Sequence, residues 1–329
     1  MYDVIDSIIV SKYGLKIKSS IPFREGFILA TSKGRFLCKE TRMKAGRILF
    51  VHSAKEHLVN NGFKNLDRYL CTQEGEPYVI NNGKCYIVSY IIEGKECDFE
   101  NRNDVKRASN LLACMHAASK GYIPPAGSLI RDDVGKTPSL FCKRLKEIKR
   151  MEKIASRRKS NFDYIYAAYS NYFYEVGKDA LDYILSPIYD KLVNETRLEK
   201  IFCHNDLTYS NLILNDNRDS LINFDFCCYD LKVYDLANLI RRRMRRCNWD
   251  IREAKVITDE YNSVNKLTPE DFYVMKIMLQ FPQKFWRVAN KYYNSRRSWA
   301  ERALTDRLED VINEIDCHKK FLDNYEIII

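Results

Sequence analysis

Phe202-Cys203-His204-Asn205-Asp206-Leu207-Thr208-Tyr209-Ser210-Asn211, followed by Leu221-Ile222-Asn223-Phe224-Asp225-Phe226, is the stretch from which the rest of the chain is read. The apolar runs Leu212-Ile213-Leu214 and Leu221-Ile222 predict a hairpin directly after a loop that carries Asp206 and Asn211. A carboxylate in such a loop can orient a substrate hydroxyl and take its proton during phosphoryl transfer. An amide oxygen at this spacing can ligate magnesium, a hard cation that takes oxygen ligands. Asp206 is therefore the candidate base, Asn211 a candidate metal ligand, and His204 a brace for the loop. A second metal-binding carboxylate is expected on the hairpin. The position in register holds Asn223, and the nearest carboxylate is Asp225. On a strand these two would share a face, about 7 Å apart.

Working outward, Phe27-Ile28-Leu29-Ala30-Thr31 and Arg35-Phe36-Leu37-Cys38-Lys39 flank Ser32-Lys33-Gly34 and predict a hairpin. Residues 44–60 carry Ile48, Phe50, Val51, Ala54 and Leu58 at helical spacing and end at Asn61-Gly62. Two more strands are expected at 77–80 and 84–92. Lys39, on the last strand before the helix, is placed to hold nucleotide phosphates, and Glu56 to hold Lys39 through an ion pair, being the only acid between Glu40 and Asp67. Beyond Glu93-Gly94 the pattern turns helical, with Val105, Ala108, Leu111, Leu112 and Met115 in phase. Further helices are expected near 161–176, 178–193, 235–246, 269–281 and 299–324. Residues 121–135 read as an irregular connection and 143–159 as a basic helix or linker. The fold class is thus α+β and bilobal: a small nucleotide-binding lobe over 1–92, an antiparallel sheet plus one helix, and a mainly helical lobe over 93–329.

Composition bounds the rest. The chain has 329 residues, 46% of them hydrophobic, and a net charge of +10 that suits nucleotide phosphates, an anionic substrate or an assembly surface. No nucleic-acid partner is expected. Residues 1–6 carry acids where a signal peptide would be basic, and no apolar run is long enough for a membrane helix. Eleven scattered cysteines without a C-x-x-C pair read as reduced, structural thiols. The densest basic run, Arg241-Arg242-Arg243-Met244-Arg245-Arg246, is either a solvated helix end or a contact for an anionic substrate or partner. The cluster Phe162, Tyr164, Tyr166, Tyr169, Tyr172, Phe173 and Tyr174 reads as packing between helices before it reads as a stacking platform.

With the lysine, the helix glutamate and the Asp/Asn loop in place, the sequence resembles the choline kinase and aminoglycoside phosphotransferase superfamily of the protein-kinase-like fold. Four runs resemble the CotS-type spore-coat proteins of endospore-forming bacteria more closely. They are Thr31-Ser32-Lys33-Gly34-Arg35-Phe36-Leu37-Cys38-Lys39, Tyr90-Ile91-Ile92-Glu93-Gly94-Lys95-Glu96, Asp225-Phe226-Cys227-Cys228-Tyr229-Asp230 with Tyr234-Asp235-Leu236-Ala237, and Phe281-Pro282-Gln283-Lys284-Phe285-Trp286-Arg287. The resemblance implies ATP and magnesium as cofactors, the spore coat as location, other coat proteins as partners, and Asp235 as a structural residue. Asn205 and Thr208 stand where protein kinases usually have Arg and Lys, and no glycine completes a D-F-G. These departures imply the small-molecule branch, with a hydroxyl acceptor. Two others bear on activity. No G-x-G-x-x-G covers the phosphates, the corresponding turn being placed at 20–25 with Arg24 near it, and Asn223 replaces the family's metal-binding Asp. The chain is accordingly expected to be a coat-associated kinase-like protein impaired at Asn223, or alternatively an active phosphotransferase that uses Asp206.

Overall fold

The computed structural model describes residues 8–9, 11–24, 26–294 and 301–329. In chain order the elements are β1 (Ile17–Phe23), β2 (Gly26–Thr31), β3 (Gly34–Thr41), α1 (Ala45–Asn60), β4 (Val79–Asn81), β5 (Lys84–Tyr90), β6 (Lys95–Glu96), α2 (Arg102–Ser119), α3 (Thr137–Ala155), α4 (Asn161–Ile184), α5 (Pro187–Glu199), β7 (Phe202–Cys203), β8 (Leu212–Leu214), β9 (Ser220–Leu221), β10 (Cys228–Tyr229), α6 (Lys232–Met244), α7 (Ile251–Val264), α8 (Pro269–Gln280), α9 (Gln283–Asn294), α10 (Glu301–Asn313) and α11 (Ile315–Asp323). The fold is α+β and bilobal, with an antiparallel N-terminal sheet and its helix followed by a mainly helical lobe. Residues 1–6, Glu25, and residues 299 and 300 of the last expected helix lie outside the described residues.

One compact unit comprises Met1–Asp98, Asn110–Asp132 and Glu199–Tyr229. Its main sheet is antiparallel in the order β1-β2-β3-β5-β4. Alternation along β3 decides where Lys39 goes. Phe36 and Cys38 enter a buried cluster with Ile8, Ile9, Tyr13 and Leu15, so Leu37 and Lys39 face the other way. Burial in that cluster pushes the Cys38 thiol up to about 12, which keeps it protonated and inert. All eleven cysteines are free thiols. Opposite Lys39 in the ladder is Gly26, where a Cβ would stand 2.5 Å from the Cys38 carbonyl oxygen. Only glycine allows that approach. The same unit carries two smaller antiparallel pairings, β6-β8-β9 and β10-β7, which frame the 204–211 loop.

The other unit comprises Phe99–Ser109, Asp133–Leu198 and Asp230–Ile329 and is helical. Its packing resolves the aromatic run on α4. Phe162 stacks on Tyr292 at 3.8 Å, and Tyr166 and Phe173 stack on Phe285 at 4.9 and 4.1 Å. Tyr164, Tyr169 and Tyr172 stay exposed. The Phe281-to-Arg287 run is a packing knot in which Phe281 stacks on Phe141 at 3.7 Å and Trp286 Nε1 donates to Glu147 Oε2 at 2.6 Å.

Three expectations change. The helices expected at 161–176 and 178–193 are one helix over 161–184 and a second over 187–199. Gly177 does not break α4; a Cβ there would meet Leu145 Cδ2 at 2.8 Å and Pro282 Cδ at 3.2 Å, so the glycine permits close helix packing. The turn placed at 20–25 is largely strand, since β1 pairs with β2 down to Phe23 opposite Gly26. Arg24 there makes an exposed ion pair with Glu96. Finally, the 241–246 run is solvated only in part, with Arg246 exposed. Arg243 is buried, donates to Glu253 Oε2 at 3.0 and 2.8 Å, and also donates to the Phe99 and Glu100 carbonyls. The packing at Gly177 predicts that Gly177→Val lowers stability by about 1–3 kcal/mol through overpacking, despite relieving the backbone entropy cost of a helical glycine. A urea titration should show a lower midpoint with an unchanged slope.

Candidate active site

The loop after β7 is held by His204 from inside. This fully buried imidazole accepts the Asp206 backbone N–H on Nδ1 at 3.2 Å, so the proton sits on Nε2, which lies 3.0 Å from the Ile222 carbonyl it donates to. An edge-on contact with Phe224 at 4.7 Å fixes the ring further. His204 thus ties the Asp206 loop to the end of the 212–222 hairpin. Asn205 takes a left-handed φ of 61° and turns the chain there.

Asn211 completes the loop. Its Nδ2 donates to the Asp206 carboxylate Oδ2 at 2.9 Å and to the Asp206 carbonyl at 2.8 Å. The amide nitrogen thereby orients the half-buried Asp206 side chain and leaves Asn211 Oδ1 turned toward Asn223, whose Nδ2 is 3.5 Å away.

Asn223 and Asp225 are not on a strand, so the expected alternation does not apply. β9 ends at Leu221, Asn223 is left-handed at φ 65° and ψ 64°, and Phe224–Phe226 form a single 3₁₀ turn. Asn is among the few residue types that tolerate this backbone. The turn brings the Asp225 carboxylate to Lys39, with Nζ to Oδ2 at 3.0 Å, while the Tyr69 hydroxyl lies 3.4 Å from Oδ1. Burial, with Asp225 and Asp67 alongside, holds the Tyr69 phenol well above its usual range, so it stays a donor. Lys39, Asn223 and Asp225 line a cleft of about 680 Å³ roofed by Gly26 and Phe27. Such a volume accommodates a nucleotide-sized ligand.

Glu56 does not reach Lys39. It pairs in fork geometry with Arg68, at 3.0 and 2.5 Å. The reason lies in the helix phase of α1. Arg47, Val51 and Lys55 fall at i, i+4 and i+8 on its inward stripe, which turns Glu56 outward. Lys55 Nζ is wholly buried and donates to the Asp67 carbonyl at 2.7 Å and to Asp67 Oδ1 at 2.9 Å. It also lies 4.0 Å from the Tyr69 ring and 5.7 Å from that of Phe224. Asp67 Oδ1 in turn accepts the Asn223 backbone N–H at 3.2 Å. Arg47 donates to the Asp225 carbonyl at 3.0 Å and to the Cys227 carbonyl. These cations were missed in the sequence. Two positive charges at i and i+8 within an apolar stripe are the signal, because buried cations demand buried acceptors.

The donor set bears on metal binding. Asn211, Asn223 and Asp225 offer hard oxygens, and Asn223 Oδ1 is buried with no hydrogen-bond partner among the described residues. An acceptor left open in this way fits a magnesium ion. Asp235, expected to be structural, is buried in the first turn of α6 in the helical unit.

Comparison with known proteins bears on the family and the fold. The family model described as "Spore coat putative kinase YutH" matches residues 6–325. Spore coat protein S of Bacillus subtilis (strain 168) is 26% identical over 310 residues, covering 93% of this chain and 88% of that protein. Among solved structures, an aminoglycoside phosphotransferase from Alicyclobacillus acidocaldarius subsp. acidocaldarius DSM 446 superposes with a TM-score of 0.85 at 21% identity, over 97% of this chain and 94% of that one. Spectinomycin phosphotransferase APH(9)-Ia, solved with ADP and spectinomycin, gives a TM-score of 0.68 at 12% identity, over 96% of this chain and 98% of that one. The structural matches speak for the fold, and the match over 6–325 settles the family: the chain belongs to the YutH family of spore-coat proteins with a kinase-like fold.

Proposed function

We propose that this spore-coat-family protein is an ATP- and magnesium-dependent phosphotransferase acting on a small-molecule hydroxyl, with Asp206 as base. The observation that carries the reading is the pairing of two prepared carboxylates. Asp206 is oriented by Asn211, and Asp225 is held at the cleft by Lys39 and Tyr69. Asp206 would accept the acceptor's proton, and its orientation in advance removes a reorganisation step. Lys39 would exchange part of its contact with Asp225 for nucleotide phosphate oxygens. Asn211, Asn223 and Asp225 would hold the metal, which when bound neutralises charge on the nucleotide phosphates. His204 would maintain the loop, both its ring nitrogens being hydrogen-bonded. The spore coat as the site of action, and other coat proteins as partners, belong to the same proposal and are supported by the family.

A second reading is favoured by Asn223 alone. An amide in place of a carboxylate removes a full negative charge from the metal site and weakens magnesium binding. The protein would then be a coat component that uses its kinase-like fold for binding or assembly.

Nucleotide-dependent thermal stabilisation with and without magnesium, together with transfer from labelled ATP to a panel of hydroxyl compounds, separates the two. Under the enzyme reading Asp206→Asn lowers transfer by about 10²–10⁴-fold while leaving nucleotide affinity within a few-fold. Absence of any Asp206-dependent transfer sinks it. Asn223→Asp should lower the magnesium concentration needed for half-maximal stabilisation by ATP. An unchanged requirement would mean that residue 223 does not reach the ion.

The site also depends on the Lys55–Asp67 pair. Lys55→Met leaves a buried carboxylate uncompensated and should cost about 3–5 kcal/mol. The double variant Lys55→Met/Asp67→Leu should cost less than the sum of the single ones, as a denaturation double-mutant cycle would read.

A further inference from the structure

The helical unit contains a second polar feature that the phosphotransferase reading does not use. A half-open pocket of about 50 Å³ lies where α4, α6, α8, α9, α10 and α11 meet, and Arg241, Arg245, Lys284 and Glu314 reach its wall. Glu314 is shared: its Oε1 takes Lys284 Nζ at 3.1 Å, and its Oε2 takes Trp249 Nε1 at 3.3 Å with Arg245 Nε at 3.7 Å. Arg241 is anchored through Asn238 Oδ1 at 3.0 Å and the Met278 carbonyl, both neutral. His318 is neutral as well, because burial lowers its pKa, and its Nε2 faces the Leu279 carbonyl at 3.0 Å. The lining therefore carries a net charge of +2.

Arg144, stacked 4.5 Å from the Trp286 ring and bonded to Gln283 of the cavity wall, adds to the positive field from behind. The Nε atoms of Arg144 and Arg245 are buried and donate to nothing among the described residues. Burial, and then mutual repulsion with Arg245, Arg287 and Arg144, brings the Arg241 guanidinium down to about 9. Buried guanidinium groups with a spare donor, as Arg245 has at the pocket wall, cost free energy that a packed apolar core would not. They are the arrangement that recognises an oxyanion bidentately.

We propose that this cavity binds a multiply charged oxyanion, either free phosphate or the phosphoryl group of a small phosphorylated molecule. Its volume is several times the roughly 10–15 Å³ that one water requires, which suits one tetrahedral anion. Arg241 on α6 and Arg245 at its C-cap would grip it from one side and Lys284 on α9 from the other. Here the 241–246 basic run finds its anionic contact, inside the helical unit.

Thermal unfolding of the full chain in phosphate and in glycerol phosphate, at constant ionic strength set with chloride, tests the proposal. We expect a saturable rise in Tm that persists in Lys39→Met, which removes the cleft lysine, and a dissociation constant at least tenfold weaker in Arg241→Gln and in Lys284→Gln. Tighter binding of glycerol phosphate than of phosphate would identify a phosphorylated molecule as the ligand, and the reverse a free anion. A chloride response of equal size, an unchanged midpoint in both cavity variants, or loss of the response in Lys39→Met would overturn it. Should the cavity variants fail to fold, selenate soaked into crystals of the full chain gives an independent reading. An anomalous peak within hydrogen-bond reach of Arg241 supports the site, and its absence there overturns it. Failure of this test leaves the Asp206 reading intact, because the two sets of residues do not overlap.

Discussion

The ion pair between Lys55 and Asp67 is the contact on which the candidate site depends. A lysine ammonium with no solvent exposure must be paired, and Asp67 supplies both a carboxylate and a carbonyl oxygen. That single requirement fixes α1 against the segment that carries Tyr69 and, through the Asn223 N–H on the same Asp67 oxygen, against the hairpin end. From there the chain has little freedom. Phe224 packs beneath Lys55 and edge-on to His204, Asp225 falls onto Lys39 and Tyr69, and Arg47 holds the backbone of the turn. The site is thus built outward from a buried charge, with each further contact satisfying a polar group that the previous one brought in.

Much of this was legible in the sequence wherever the signal was local. Asp206 and Asn211 lie on one loop, so their spacing alone predicts that one amide can meet one carboxylate. Lys39 follows from strand alternation beside Cys38. Glu56 was assigned to Lys39 because it is the only acid in its stretch, and that argument fails since identity was weighed without helix phase. Reading the stripe Arg47, Val51, Lys55 would have turned Glu56 outward and exposed the need for a buried acceptor such as Asp67. The same limit applies to Gly177. A glycine within a periodic pattern can mark a break or a close approach, and only the presence of Leu145 and Pro282 across from it decides. Likewise a basic run reads as solvated until its neighbours are known, and Arg243 is buried against Glu253.

Asn223 is better understood from the same starting point. Its Oδ1 is buried with no hydrogen-bond partner among the described residues, while Lys39 is engaged by the Asp225 carboxylate and Arg47 by the Asp225 and Cys227 carbonyls. A carboxylate at 223 would place a second negative charge near Asp225 and Asp67, where Lys39 and Lys55 already have acidic partners, and that repulsion costs free energy in the metal-free protein. An unpartnered amide oxygen costs only about 1–3 kcal/mol and suits the left-handed backbone at least as well. If the proposed metal site is right, the amide would give up metal affinity and favour the metal-free fold. Asp206 and Asp225 are intact and held in place, so under the proposed phosphotransferase reading the amide would alter the magnesium requirement without dismantling the site. Lys55 and Asp67 hold the turn that carries Asn223 and Asp225, whatever residue 223 would contribute to an ion under the proposed reading.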